Sequence, residues 1–146
     1  MRRSGKAVWH GTGLEGAGSL TTPSGVLAEQ PYSTKMRFAD AEGRSGTNPE
    51  ELIAAAHAGC FAMALSFQLT GAGFPPTALH VESVITMAQQ GFDWSMAGIV
   101  LTLDAVVPGI DDATFREKAN AAKVGCPVSM ALSAVPITLD ATLRAE

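Results

Sequence analysis

Short runs of alternating apolar and polar residues, broken by turn-forming residues, mark the first 40 positions. Residues 6–9, 19–22 and 26–27 read as strands, separated by Gly11, Gly13, Gly16 and Gly18 and then by Pro23-Ser24-Gly25. The pattern predicts an antiparallel meander. After Pro31-Tyr32, residues 34–38 predict a further strand, with Met36 and Phe38 on one face and Lys35 and Arg37 on the other. The polar, glycine-containing segment 40–46 predicts a loop.

The pattern then changes period. Asn48 has the character of an N-cap, Pro49 that of a first helical residue, and Glu51 stands three positions after the cap, where a capping box needs an acid. A helix is expected to about residue 70, stopping at Gly71 or Gly73 ahead of Pro75-Pro76. Its apolar residues surround the axis, which predicts a helix at the centre of the structure. Residues 78–88 and 94–107 predict two longer strands joined near Gln89-Gln90-Gly91, and Pro108-Gly109 ends the second. Asp111 caps a helix through Lys123 that finishes at Gly125. A short helical turn after Cys126-Pro127 and a strand over 136–143 complete an α+β fold. Without repeat, linker or low-complexity segment, residues 1–146 read as a single domain.

A chain of 146 residues can bury roughly two thirds of its unfolded surface and needs no crosslink to fold. Its apolar fraction of 47% against 16% charged residues leaves little polar surface for a small monomer, which predicts a buried subunit interface. The net charge of −4, with no basic block beyond Arg2-Arg3, argues against nucleic acid and against a membrane surface as partners. The basic N-terminus runs directly into Val8-Trp9-His10-Gly11 without the apolar core of a signal peptide, so the expected location is cytoplasmic. The apolar run 52–69 approaches membrane-spanning length but is alanine-rich and interrupted by His57, Ser66 and Gln68, which favours a core helix.

The chain has two cysteines, 66 positions apart, in a spacing that suggests inert core thiols or redox chemistry rather than a disulfide framework. Cys60 lies mid-helix and, taken alone, reads as a small core residue. Cys126 falls between a helix-ending Gly125 and Pro127, an N-cap position at which free N–H groups lower a thiol pKa. His57 is one helical turn from Cys60. With Cys126 the two could make part of a metal site, although a packing or hydrogen-bonding histidine is the simpler reading, since a closed zinc site needs four ligands. Glu51 is accounted for by capping, whereas Glu50 has no such role.

Taken together, Ser24-Gly25-Val26-Leu27, Pro31-Tyr32-Ser33, Arg37-Phe38, Gly46-Thr47-Asn48-Pro49-Glu50-Glu51-Leu52-Ile53, Ala56-His57-Ala58-Gly59-Cys60-Phe61 and Gly125-Cys126-Pro127-Val128-Ser129 closely resemble the OsmC/Ohr family of osmotically induced and organic-hydroperoxide-resistance proteins, on the OsmC side. The resemblance extends over nearly the whole chain. It implies an intertwined homodimer in which antiparallel sheets from both subunits wrap two central helices. It also implies that Cys60 is the peroxidatic cysteine, Cys126 the resolving cysteine, and Arg37 and Glu50 the charged pair of the site. Gly59, where alanine is expected, and the length of the 40–46 loop are minor departures. No metal, flavin or haem is implied. The implied activity is reduction of organic hydroperoxides through a Cys60 sulfenic acid and a Cys60–Cys126 disulfide, with a lipoyl-type dithiol as reductant. Two other readings stand beside it: a non-catalytic dimer with a structural disulfide, and a metal-binding module using His57, Cys60 and Cys126.

Overall fold

The computed structural model describes residues 1–40 and 42–144 and divides the chain into two compact units, Met1–Leu52 and Ile53–Glu146. In the first unit, β1 (Lys6–His10), β2 (Ala17–Thr21) and β3 (Gln30–Ser33) form an antiparallel sheet in sequence order. This is the meander that the turn spacing predicts. Gly18 pairs with Trp9, and a Cβ at position 18 would lie 1.9 Å from the Val8 carbonyl oxygen, so only glycine fits there. At Gly16 a Cβ would lie 2.6 Å from Trp9 Nε1, so glycine there leaves room for the Trp9 ring, which meets Tyr32 at a centroid distance of 5.3 Å.

Two local expectations for this unit are corrected. Residues 26–27 are not a strand: Leu27 donates its N–H to the Thr22 hydroxyl and its carbonyl accepts the Thr22 N–H, closing a turn, and the third strand starts at Gln30. Residues 34–38 are also not a strand. They form α1 (Thr34–Phe38), because Ser33 accepts the Met36 N–H at 3.1 Å and so supplies an N-cap that five alternating residues do not outweigh.

The helix α2 (Pro49–Gly71) begins as its cap residues require, with Glu51 N–H donating to Asn48 Oδ1 at 2.8 Å. The Glu51 carboxylate accepts from the Thr47 hydroxyl at 2.7 Å, a variation on the reciprocal capping box. By length and composition α2 could cross a membrane. Within the second unit, however, Phe61, Leu65 and Leu69 form a stripe at four-residue spacing that joins the apolar core. The helix is not enclosed on all sides by its own chain as its composition predicts: Met63 and Phe67, off this stripe, are 64% and 74% exposed.

The remainder of the second unit is β4 (Ala78–Gln90), β5 (Asp93–Val106), α3 (Asp112–Gly125), α4 (Pro127–Ala131) and β6 (Ile137–Arg144). The strands β4 and β5 form a hairpin around Gly91-Phe92, where Gly91 supplies a φ of +63°. Asp111 caps α3 by accepting the Thr114 N–H at 2.9 Å. The two helices carry the chain back so that β6 pairs with β5 in parallel. Alternation along β5 buries Ile99, Leu101, Leu103 and Ala105, and the last three of these pack in one core with Phe61, Leu65 and Leu69 of α2 and Phe115, Ala119 and Ala122 of α3.

Candidate functional site

Cys126 is the hinge between two helices. Its backbone is extended, as a residue preceding proline requires, so α3 ends there and α4 starts at Pro127. The Cys126 N–H still donates to Ala122 of α3, while its carbonyl accepts from Met130 of α4. The backbone is thereby fixed from both sides, and the side chain is fully buried. Cys60, on α2, is partly exposed. The two sulfurs lie 2.8 Å apart, both as free thiols. A separation of 66 residues in sequence is closed by the packing of α2, α3 and α4.

The two thiols differ electrostatically. Burial pushes the Cys60 thiol above its ordinary value, the hydrogen bond with Cys126 raises it further, and the Val128 N–H only partly offsets this. Burial acts in the same sense on Cys126, but its hydrogen bond with Cys60, the Ser129 N–H and hydroxyl, and the Val128 N–H together bring it below the ordinary thiol range. The two sulfurs share one hydrogen bond, and their surroundings bias the two thiols in opposite directions.

His57 lies one turn before Cys60 and is fully buried, with Nε2 2.8 Å from the hydroxyl oxygen of Ser129, itself 5% exposed. Burial lowers its pKa, so the ring is neutral at neutral pH. The hydrogen-bonding histidine is thus present. Among the described residues no three His, Cys, Asp or Glu side chains converge as metal ligands. Ser129 is the residue that sequence reasoning missed. Its signal was its position three residues after Cys126, where a side chain on the first turn of a helix faces the cap.

In the first unit Arg37 and Glu50 form a forked ion pair. Arg37 Nε donates to both Glu50 oxygens at 3.2 and 3.1 Å, and Nη2 donates to Oε1 at 2.5 Å. The Glu50 side chain is 13% exposed and that of Arg37 36%, so the carboxylate is half-buried while the guanidinium also faces solvent. The guanidinium also lies 4.6 Å from the centroid of the Phe38 ring. Helix α1, rather than the expected strand, holds Arg37, and the first turn of α2 holds Glu50. The four candidate residues thus fall into two pairs: Arg37 with Glu50, and Cys60 with Cys126.

Residues 41–140 match the family described as OsmC-like protein. The peroxiredoxin OsmC of Escherichia coli (strain K12) is 45% identical over 144 residues, covering 99% of this chain and 98% of that protein. The organic hydroperoxide resistance protein OhrB of Bacillus subtilis (strain 168) is 32% identical over 115 residues, covering 79% of this chain and 81% of that protein. The crystal structure of the B. subtilis OhrB superposes with a TM-score of 0.72 at 27% identity, over 95% of this chain and 98% of that chain.

Proposed function

The chain belongs to the OsmC-like protein family, and from that membership and its paired thiols we propose that it is a cysteine-based peroxidase that reduces organic hydroperoxides to alcohols. The observation that carries this reading is the 2.8 Å contact between a partly exposed and a fully buried thiol. The accessible sulfur can meet a peroxide, and the sheltered one waits within bonding reach of the product. In the proposed cycle the Cys60 thiolate attacks the outer peroxide oxygen, the O–O bond breaks, and the alkoxide takes a proton and leaves as alcohol. Cys60 is left as a sulfenic acid. Cys126 attacks that sulfur, its proton leaves with the hydroxyl as water, and a disulfide remains for an external dithiol of lipoyl type to reduce.

Burial raises the Cys60 thiol, so the attacking thiolate needs a cation, and Arg37, oriented by Glu50, is the candidate. Glu50 and Cys60 are ten residues apart on α2, or about 15 Å along the helix axis, which is beyond the reach of a glutamate side chain. We therefore place the Arg37–Glu50 pair of one subunit beside the Cys60–Cys126 pair of a second in a homodimer. A two-fold axis near Ala55, midway between positions 50 and 60, would pair the helices antiparallel at a run of alanines. The exposure of Met63 and Phe67 on the open side of α2 supports a partner there. Residues 1–146 act in this reading as one domain, in the cytoplasm, without metal or other cofactor and without nucleic acid or membrane as partner.

The decisive assay compares consumption of cumene or tert-butyl hydroperoxide with that of hydrogen peroxide, in the presence of dithiols and monothiols. Turnover of the organic peroxides with a dithiol is expected. Cys60→Ser should abolish it, whereas Cys126→Ser should turn over once and then accumulate sulfinic and sulfonic acid at Cys60. Substantial turnover by Cys60→Ser would end this reading.

A further inference from the structure

The cycle above leaves the contact between His57 and Ser129 unused, although both residues are buried and Ser129 stands three residues after Cys126 on the first turn of the helix that Cys126 begins, where it lowers that thiol's pKa. A serine hydroxyl has one proton to give. If His57 carried its proton on Nδ1, Nε2 would have to accept the Ser129 proton, Cys126 would lose that donor, and a buried Nδ1–H would have no acceptor, since Nδ1 has no hydrogen-bond partner. With the proton on Nε2, His57 donates to Ser129, the Ser129 proton is left free to turn toward Cys126, and only a lone pair is left bare. The second arrangement satisfies every donor. It is a line of two donors that ends on the sulfur of Cys126.

That line matters most when the disulfide is opened. A thiolate attacking a disulfide bonds to one sulfur and expels the other, and the better-stabilised sulfur leaves faster. Cys126 is the stabilised one and is fully buried, while Cys60 is partly exposed. We propose that His57 and Ser129 are positioning residues that hold Cys126 as the departing thiolate, so that the reductant bonds to Cys60. The inference rests on the disulfide assigned to the proposed cycle. The reductant's thiolate attacks Cys60 Sγ, the S–S bond breaks, and its electron pair goes to Cys126. The second thiol of the reductant, deprotonated, then attacks its own sulfur in the mixed disulfide, expels Cys60 as thiolate and leaves the reductant as a disulfide. Two electrons enter the protein, and the two protons lost by the dithiol go to solvent or to the cysteines. The groups that act on Cys126 are Cys60, Ser129 and Val128, with no charged side chain among them.

The test uses full-length protein oxidised with diamide, so that it needs no peroxide activity. Brief treatment with 2-mercaptoethanol, acid quenching and peptide mass spectrometry should find the adduct on Cys60 and Cys126 free. In Ser129→Ala and His57→Leu the rate of this reduction should fall about fivefold, the effect of losing a hydrogen bond to a charged sulfur when about half the charge has developed in the transition state. In a Cys60→Ser background the same changes should move alkylation of Cys126 to higher pH. Ser129→Thr and His57→Gln, which keep a donor, should restore both readouts. An adduct on Cys126 overturns the proposal, as do unchanged rates and alkylation profiles in folded Ser129→Ala and His57→Leu. Where those variants fail to fold, the adduct position in the unsubstituted protein decides alone. A protein that forms and opens the disulfide in this way yet consumes no peroxide refutes the peroxidase reading and leaves this one standing.

Discussion

Closing the Cys60–Cys126 bond should stabilise the fold by an amount that follows from the positions of the two residues. The crosslink spans 66 residues. By the chain-entropy argument, a loop of that size lowers the free energy of folding by about 4 kcal/mol through loss of freedom in the unfolded chain. Strain in the folded state usually subtracts from such figures. Here the thiols already lie 2.8 Å apart, so the sulfurs need to approach by less than about 1 Å to reach bonding distance. At roughly 3 °C per kcal/mol for a chain of this size, the melting temperature should rise by about 10 °C. The assay is calorimetry of the reduced protein and of protein oxidised with one equivalent of cumene hydroperoxide, with the disulfide verified by mass spectrometry. Cys126→Ser should show no such rise. A verified disulfide that leaves the melting temperature unchanged or lower would refute the inference that the folded site accepts the bond without distortion. The rise alone does not separate a catalytic from a structural disulfide. Its formation by one equivalent of peroxide, and its reversal by a dithiol through many cycles, does.

Truncating Phe61, fully buried between α2 and the sheet, to alanine should cost about 3–5 kcal/mol, read as a lower urea midpoint. Burial holds the His57 pKa below its ordinary 6.5, so the unfolded chain binds the extra proton first as pH falls. The contribution of a neutral His57 is therefore complete well above pH 6.5 and declines below it; urea midpoints from pH 8 to 5 should show a slope that His57→Gln reduces, and an equal slope in the variant would contradict the assignment. Co-expressed Cys60→Ser and Glu50→Ala subunits should form heterodimers with one intact site and measurable peroxidase activity. Verified heterodimers with none would end the shared-site proposal.

The parts of the fold that were legible in the sequence are those encoded within a few residues. Asn48, Pro49 and Glu51 announce the start of α2, and Asp111 that of α3, because a cap is a contact between a side chain and a backbone group three positions away. Gly125-Cys126-Pro127 marks the break between α3 and α4 for a similar local reason. Residues 34–38 were misread because five residues of alternating polarity fit half a dozen geometries, while the deciding atom, Ser33 Oγ, lies outside the run. The parallel pairing of β6 with β5 has no local signature, since it depends on how two intervening helices return the chain. The site shows the same division. The N-cap position of Cys126 could be read from its neighbours, but Arg37 and Glu50 came only from resemblance, and Ser129 beside His57 was not found at all. Contacts across 13, 66 and 72 residues leave no trace in spacing.

The two thiols show why the proposed chemistry requires a distant cation. Cys60 sits in the middle of a 23-residue helix, where every nearby backbone N–H of α2 is committed to a helical hydrogen bond. Its own helix can offer it no donor, and its surroundings favour the neutral thiol. Cys126 sits where one helix has ended and another has just begun, so uncommitted N–H groups and the Ser129 hydroxyl make it the better anion. Left to itself, the pair disfavours charge on its exposed member, an arrangement poorly suited to attack on peroxide. On the proposed cycle, a guanidinium brought beside Cys60 narrows this difference without reversing it: as the peroxide is attacked the Cys60 proton crosses the 2.8 Å to Cys126, and the thiolate forms where the substrate can reach it. That same proton is the one that departs with the hydroxyl when Cys126 closes the disulfide. Arg37→Ala should therefore raise the pH at which Cys60 is alkylated while leaving the Sγ–Sγ contact and diamide-driven disulfide formation in place. An unchanged Cys60 alkylation profile in that variant would remove Arg37 from the cycle.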